Sequence, residues 1–186
     1  MSSISSLIRS VFNHPNRSST LLTGEDGVTT EIEDGANLRD QRLEGAPLQK
    51  QLLRRADLTS VRAAFANFAD ANLAGSILVD ADFEGANFSQ ARLVGADLTG
   101  SKLLNAGFAE ADLTDAVLVR ADLSGANFTS ASLAKANLRG AKVSGTNFTN
   151  ANLRDADLSG VDFSRANLLG ANLEGANTAG ATLPTR

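Results

Sequence analysis

Residues 121–140 read ADLSG ANFTS ASLAK ANLRG, and the rule behind these four groups of five governs most of the chain. Each group opens on a small residue, places a polar residue second and centres on Leu or Phe. The same frame holds from Ala36 to Thr185, 30 consecutive units without an insertion or deletion. The central residue is Leu 20 times and Phe 7 times, with Ala63, Val143 and Thr178 as the exceptions. The opening residue is Ala, Ser, Thr or Val in 28 units and departs only at Gln41 and Gln51, while Asp or Asn stands second in 18. A period of five fits neither the 3.6 of a helix nor the 2 of a long strand. Within one unit, however, the small residue and the Leu or Phe are two apart. They face one way from an extended backbone, and the Asp or Asn between them faces the other. Each unit is therefore one short wall with its inside marked. Glycine fills 12 of the 30 last positions, as suits a corner whose dihedrals other residues resist.

The number of walls per turn is also written in the chain. Phe68, Phe88, Phe108, Phe128 and Phe148 recur every 20 residues, and the columns Leu38 to Leu158 and Leu53 to Leu173, sampled at the same interval, hold only Leu. Twenty residues is four walls, so the predicted cross-section is a square and 30 units make 7.5 coils. At a strand spacing of ~4.8 Å the rod is roughly 36 Å long.

Units such as Ala-Asp-Leu-Ser-Gly (121–125) and Ala-Asn-Leu-Glu-Gly (171–175) resemble the A-(D/N)-L-x-x signature of the pentapeptide-repeat family. The resemblance covers about four-fifths of the chain and is strongest to loop-free members of the cyanobacterial type. It implies an all-β fold, a right-handed quadrilateral β-helix.

Outward residues stack every 20 as well. One column, Arg62, Asp82, Lys102, Asp122, Lys142 and Asp162, alternates in sign, so that neighbours attract. It either stabilises and sets register or offers a pattern to a partner. Asn67, Asn87, Asn127, Asn147 and Asn167 form a second column, read as a structural ladder of stacked amides. One region breaks the polar rule: Ile77, Val79, Val117 and Val119 occupy outward slots of one wall, with Val94 and Leu104 on the adjoining walls. Clustered apolar groups on a surface suggest a docking patch. Strand-favouring residues tolerated on the outside are the alternative.

Residues 1–35 precede the repeat. Ile4, Leu7, Ile8, Val11 and Phe12 follow the stripe of a short amphipathic helix, with Ser2 or Ser3 as its N-cap and His14-Pro15 at its end. The helix is expected to cap the open first coil, where bare backbone and core side chains would otherwise be exposed. Docking to a partner or a membrane surface and, for the Ser-rich, acid-free first 24 residues, an organellar transit segment are the other readings. An acidic linker follows, carrying Glu25, Asp26, Glu31, Glu33 and Asp34. The division is thus 1–35, a helix and acidic cap, and 36–186, the β-helix.

Composition points away from an enzyme. With no Cys there is neither thiol nucleophile nor thiolate metal site, and His14 is the only imidazole. No phosphate loop of the GxxxxGK[ST] type occurs, so neither a cofactor nor a metal is expected. The repeat carries 16 acidic against 15 basic residues, which suits neither nucleic acid as a partner nor a strongly charged surface. No apolar run reaches the ~18 residues of a membrane span. The expectation is a cytoplasmic scaffold or regulator, monomeric or dimerised end to end, that binds another protein through its faces. The alternative, by analogy with the family's gyrase-directed members, is a DNA-mimicking regulator of type II topoisomerase.

Overall fold

Backbone hydrogen bonds join each unit of the repeat to the units 20 residues before and after it. The computed structural model describes residues 19–23 and 29–184 of the chain. Parallel bridges pair Asn37 with Asp57, Arg42 with Arg62, Pro47 with Asn67 and Leu52 with Asn72, and the series continue up the rod in steps of 20, with one interruption in the second. The four series define four faces. Face one carries Asp57, Ile77 and Asp97; face two, Arg62, Asp82 and Lys102; face three, Asn67, Asn87 and Gly107; face four, Asn72, Arg92 and Asp112. The square section expected from the sequence is the one observed.

One unit accounts for the backbone of all. Asp57 N–H donates to the Ala36 carbonyl one coil below (2.8 Å), while Leu58 and Ser60 donate to Ile77 and Val79 one coil above (2.7 and 2.9 Å). Val61 N–H turns back across the corner to the Leu58 carbonyl (3.1 Å). The corner residue has positive φ, from +54° to +61° at 16 non-glycine positions, and the residue before it does not. That sign pattern with an i to i+3 bond is a type II turn, which explains the recurrent glycines. A non-glycine residue in this region costs on the order of 1–3 kcal/mol, which the ladder on both sides must outweigh.

Inside, the five phenylalanines of face three stack with centroids 4.6–5.2 Å apart and planes within 14° of parallel, close to the rise of one coil. The other two core rings, Phe83 and Phe163, stand on face two and meet this stack edge-on: Phe83 lies 5.7 and 5.2 Å from Phe68 and Phe88, and Phe163 lies 5.9 Å from Phe148. Each sits one coil above an exception to the Leu/Phe rule, Phe83 above Ala63 and Phe163 above Val143. The exceptions make room for the extra rings. Around Ala63 the ladder is whole, with Ala63 N–H on the Asp82 carbonyl at 2.7 Å. Around Val143 it opens. The bridges of face two run as far as Lys142 and resume between Asp162 and Thr182, and Gly145 N–H reaches the carbonyl of Arg165 (3.1 Å) rather than that of Ser164. Arg165 is also the one corner residue between 40 and 180 that lies outside the positive-φ set.

Polar residues in inward slots find partners nearby. Ser76 and Ser101 hydroxyls donate to the carbonyls of Leu73 and Leu98 (2.6 and 2.7 Å), and Thr146 donates to that of Leu123 (2.7 Å). Gln51 is buried with its Oε1 unpaired among the described residues. Ahead of the repeat, β1 (Ser19–Thr23) and β2 (Thr29–Glu33) pair antiparallel, Ser19 opposite Glu33. Read as a linker from its charge, this stretch carries a hairpin instead. Two Thr- and Leu/Ile-bearing runs separated by Gly24 and Gly27 are its signal. The amphipathic helix expected over Ile4 to Phe12, with its capping role, lies outside the described residues.

Candidate partner-docking surface

In every unit one backbone N–H, that of the fourth residue, has no partner in the ladder. Where the second residue is Asp or Asn, its Oδ1 accepts that N–H: Thr59 N–H donates to Asp57 (3.0 Å), Thr99 to Asp97 (2.9 Å) and Thr149 to Asn147 (3.0 Å). All 18 such units make the bond. This Asx turn, a side chain standing in for a missing backbone acceptor, is the physical reason for Asp or Asn at that position. Threonine or serine at the fourth position often adds its hydroxyl, as Thr129 does to Asn127 at 2.6 Å.

The amide ladder expected along face three is mostly absent as a consequence. Asn87 Nδ2 reaches Asn67 Oδ1 at 3.3 Å, but Asn147 and Asn167 donate to the hydroxyls of Thr129 and Thr149 (3.0 and 2.9 Å). Each Asn caps its own turn first and bonds its neighbour only with what remains. The alternating column of face two pairs in couples, Lys102 with Asp82 (3.9 Å) and Lys142 with Asp122 (3.3 Å), while Arg62 turns to Glu44 (3.4 Å). For Asp122 partial burial works against ionisation, yet the hydroxyl and N–H of Ser124, with Lys142, outweigh it and hold the carboxyl below its usual value. At Asp157 the Ser159 hydroxyl leads in the same direction.

The apolar region stands out against this capping pattern. Ile77 is exposed, while Val79, Val94, Leu104, Val117 and Val119 are half-buried. Ile77 and Val117 both bridge to Asp97, so they lie two coils apart on face one. Between them Asp97 Oδ1 is taken up by the N–H and hydroxyl of Thr99 (2.9 and 2.6 Å). Val79, Val94, Leu104 and Val119 are all fourth-position residues, and in each of their units the second residue is Ile, Arg, Lys or Val, which cannot cap. Their four N–H groups have no partner among the described residues. The region thus combines apolar side chains with uncapped backbone donors.

Phe65 is a functional candidate that the sequence analysis passed over. It is 70% exposed at a corner of face two with φ +59°, and its ring lies over Gly85, where an added Cβ would fall 2.6 Å from it. A large aromatic at a fifth position, with glycine 20 residues later, is the signal. Among the described residues no three His, Cys, Asp or Glu side chains are grouped to hold a metal, and no helix is long and apolar enough to cross a membrane.

Eight copies of the repeat described as pentapeptide repeats match residues 66–103, 106–145 and 144–177. The chain belongs to the pentapeptide-repeat family. Among solved structures, this pentapeptide-repeat protein is similar to HetL of the cyanobacterium Nostoc sp. strain PCC 7120, a protein involved in regulating heterocyst differentiation. The two are 28% identical over 80% of this chain and 85% of that one, with a TM-score of 0.32. It is also similar to a pentapeptide-repeat protein of the Arabidopsis thaliana thylakoid lumen, at 30% identity over 62% and 67% of the two chains, TM-score 0.40. QnrB1, a plasmid-mediated fluoroquinolone resistance protein, is 21% identical over 79% of this chain and 89% of that one, TM-score 0.35. No curated protein matches the chain. Family membership implies a right-handed quadrilateral β-helix.

Proposed function

We propose that this pentapeptide-repeat protein is a non-enzymatic scaffold or regulator that binds another protein through face one and the adjoining parts of faces four and two. The carrying observation is the coincidence at Val79, Val94, Leu104 and Val119 of an outward apolar side chain with an uncapped N–H. In 18 units the chain spends Asp or Asn on that N–H. In the uncapped units outside the patch the fourth residue is polar or Ala, as at Glu44, Arg54 and Ala109, so only here does a large apolar side chain accompany the free donor. Local rules of this kind are broken where function demands it. A protein surface supplies both apolar area and carbonyl acceptors, and it would leave the self-contained Asp97–Thr99 pair undisturbed. Charge argues against the DNA-mimic alternative. A duplex carries one negative charge per ~1.7 Å of axis, so a mimic ~36 Å long needs on the order of 20. The repeat instead balances 16 acids against 15 bases. Val79→Asp with Val119→Asp is expected to abolish capture of the partner in pull-downs with the full chain, leaving the melting temperature nearly unchanged. Capture that persists in the double variant would remove the patch from the function. Inhibition of gyrase supercoiling at sub-micromolar protein would overturn the scaffold reading itself.

A further inference from the structure

We infer that Arg54, Arg55 and Arg92 form a binding pocket for a small multiply charged oxyanion, a phosphate or diphosphate group. The three arginines line one cavity of about 290 Å³ on face four of the first coils, together with Asp34 and Ala74. Small residues keep it open. Ala74 lies between Arg54 and Val94 in its column, and Arg55 runs along the rod past Gly75, where an added Cβ would meet its Cγ at 3.7 Å.

The pocket already holds one oxyanion. Arg54 grips the Asp34 carboxylate by two points, Nε to Oδ1 at 3.0 Å and the terminal nitrogen to Oδ2. This is the fork geometry that fits carboxylate and phosphate alike. Among the described residues neither Arg55 nor Arg92 forms an ion pair. Asp112 stacks on Arg92 one coil up, but its Oδ1 is engaged by the N–H and hydroxyl of Thr114 (3.1 and 2.7 Å). Three guanidinium groups stand against Asp34 in the pocket and Asp112 one coil above Arg92, an excess of positive charge in a chain whose net charge is −4. An oxyanion with tetrahedral oxygens can accept from both free forks at once, which a single carboxylate does less well. The inference rests on other observations than the docking surface, charges and no apolar contact, although Val94 stands directly above Ala74 on the same face.

Inorganic pyrophosphate titrated calorimetrically into the full chain at low salt is the direct probe. Saturable one-to-one binding is expected. Arg55→Gln with Arg92→Gln should weaken it about tenfold or more, through loss of charge-assisted bonds. Both side chains are exposed, so the melting temperature without ligand should hold. Arg120→Gln with Arg165→Gln, two exposed arginines elsewhere, should leave the affinity unchanged. No saturable binding, an equal loss in the control pair, or equal competition by chloride at matched ionic strength would overturn the site. Binding that emerges only after Glu31→Gln with Glu33→Gln would assign the pocket to the chain's own acidic segment and overturn an external ligand.

Discussion

Phe83 and Phe163 pose the same problem to the rod, and the coils beneath them solve it to different degrees. Each is an extra ring on face two, edge-on to the Phe stack. Below Phe83 the chain has Ala63 and the ladder is intact; below Phe163 it has Val143 and the ladder parts between Lys142 and Asp162. Alanine releases nearly the whole volume the ring needs, whereas valine releases only part, and there the ladder to the next coil opens. In a solenoid the interior of one coil is thus specified by the coil below it, and a mismatch of a few methyl groups is read out in backbone hydrogen bonds.

The largest effect should come from the stack itself. Phe108→Ala, in regular coils on both sides, should cost ~3–5 kcal/mol in denaturant unfolding, because stacked neighbours hold the cavity open. Phe163→Ala should cost clearly less than Phe108→Ala, since relief at Val143 lets the parted ladder close. Equal losses would mean that the break has another origin. Next in size, Ala63→Val should import the Phe163 problem to Phe83 and destabilise by ~1–3 kcal/mol. Val143→Ala tests the converse. Lost burial of two methyl groups is offset by regained backbone bonds of about 1 kcal/mol each, so the melting temperature should scarcely fall, in contrast to the same truncation at Val61.

Much of this was legible beforehand, and the boundary has a physical cause. Residues such as Phe108 and Leu113 repeat in a strict register, so walls, corners and the four-sided section follow from spacing alone. The exceptions Ala63 and Val143 were visible too, but their meaning was not, because it depends on which residue lies 20 positions on and on a different face from the stack. The role of Asp57 or Asn147 was misjudged for a related reason. An outward polar residue looks like surface or ladder until the one unpaired N–H in the unit has been counted. The patch from Ile77 to Val119 was found as apolar positions, while the uncapped donors beside it needed coordinates. The Arg54–Arg55–Arg92 pocket was missed because its members sit in different slots of units two coils apart.

Smaller effects sharpen the outer half of the comparison. Asn127→Ala removes a cap from Thr129 and should cost ~0.5–1.5 kcal/mol. Substitution at Ile77, whose unit has no cap to lose, should cost little. Acid should act through the capped carboxylates. Asp122, Asp157 and Asp162 have pKa values lowered in the folded chain, so their contribution is present above the ordinary carboxylate range near ~3.9. It is lost as pH falls through the depressed values, because the unfolded chain binds those protons first. Melting temperature should therefore be flat from pH 7 to about 5 and fall below it. Asp122→Asn should shrink that fall slightly, since Ser124 can still donate to the amide oxygen.

The parting between Lys142 and Asp162 has a kinetic meaning as well. Each coil bonds only to its immediate neighbours, so opening must spread along one axis, and a site where one of four sides is already unlaced is where it would pause. Amide hydrogens from Asp162 onward should then exchange as a block of their own, faster than those of the coils around Phe108. The stretch below Lys142 should exchange through openings of the rod as a whole.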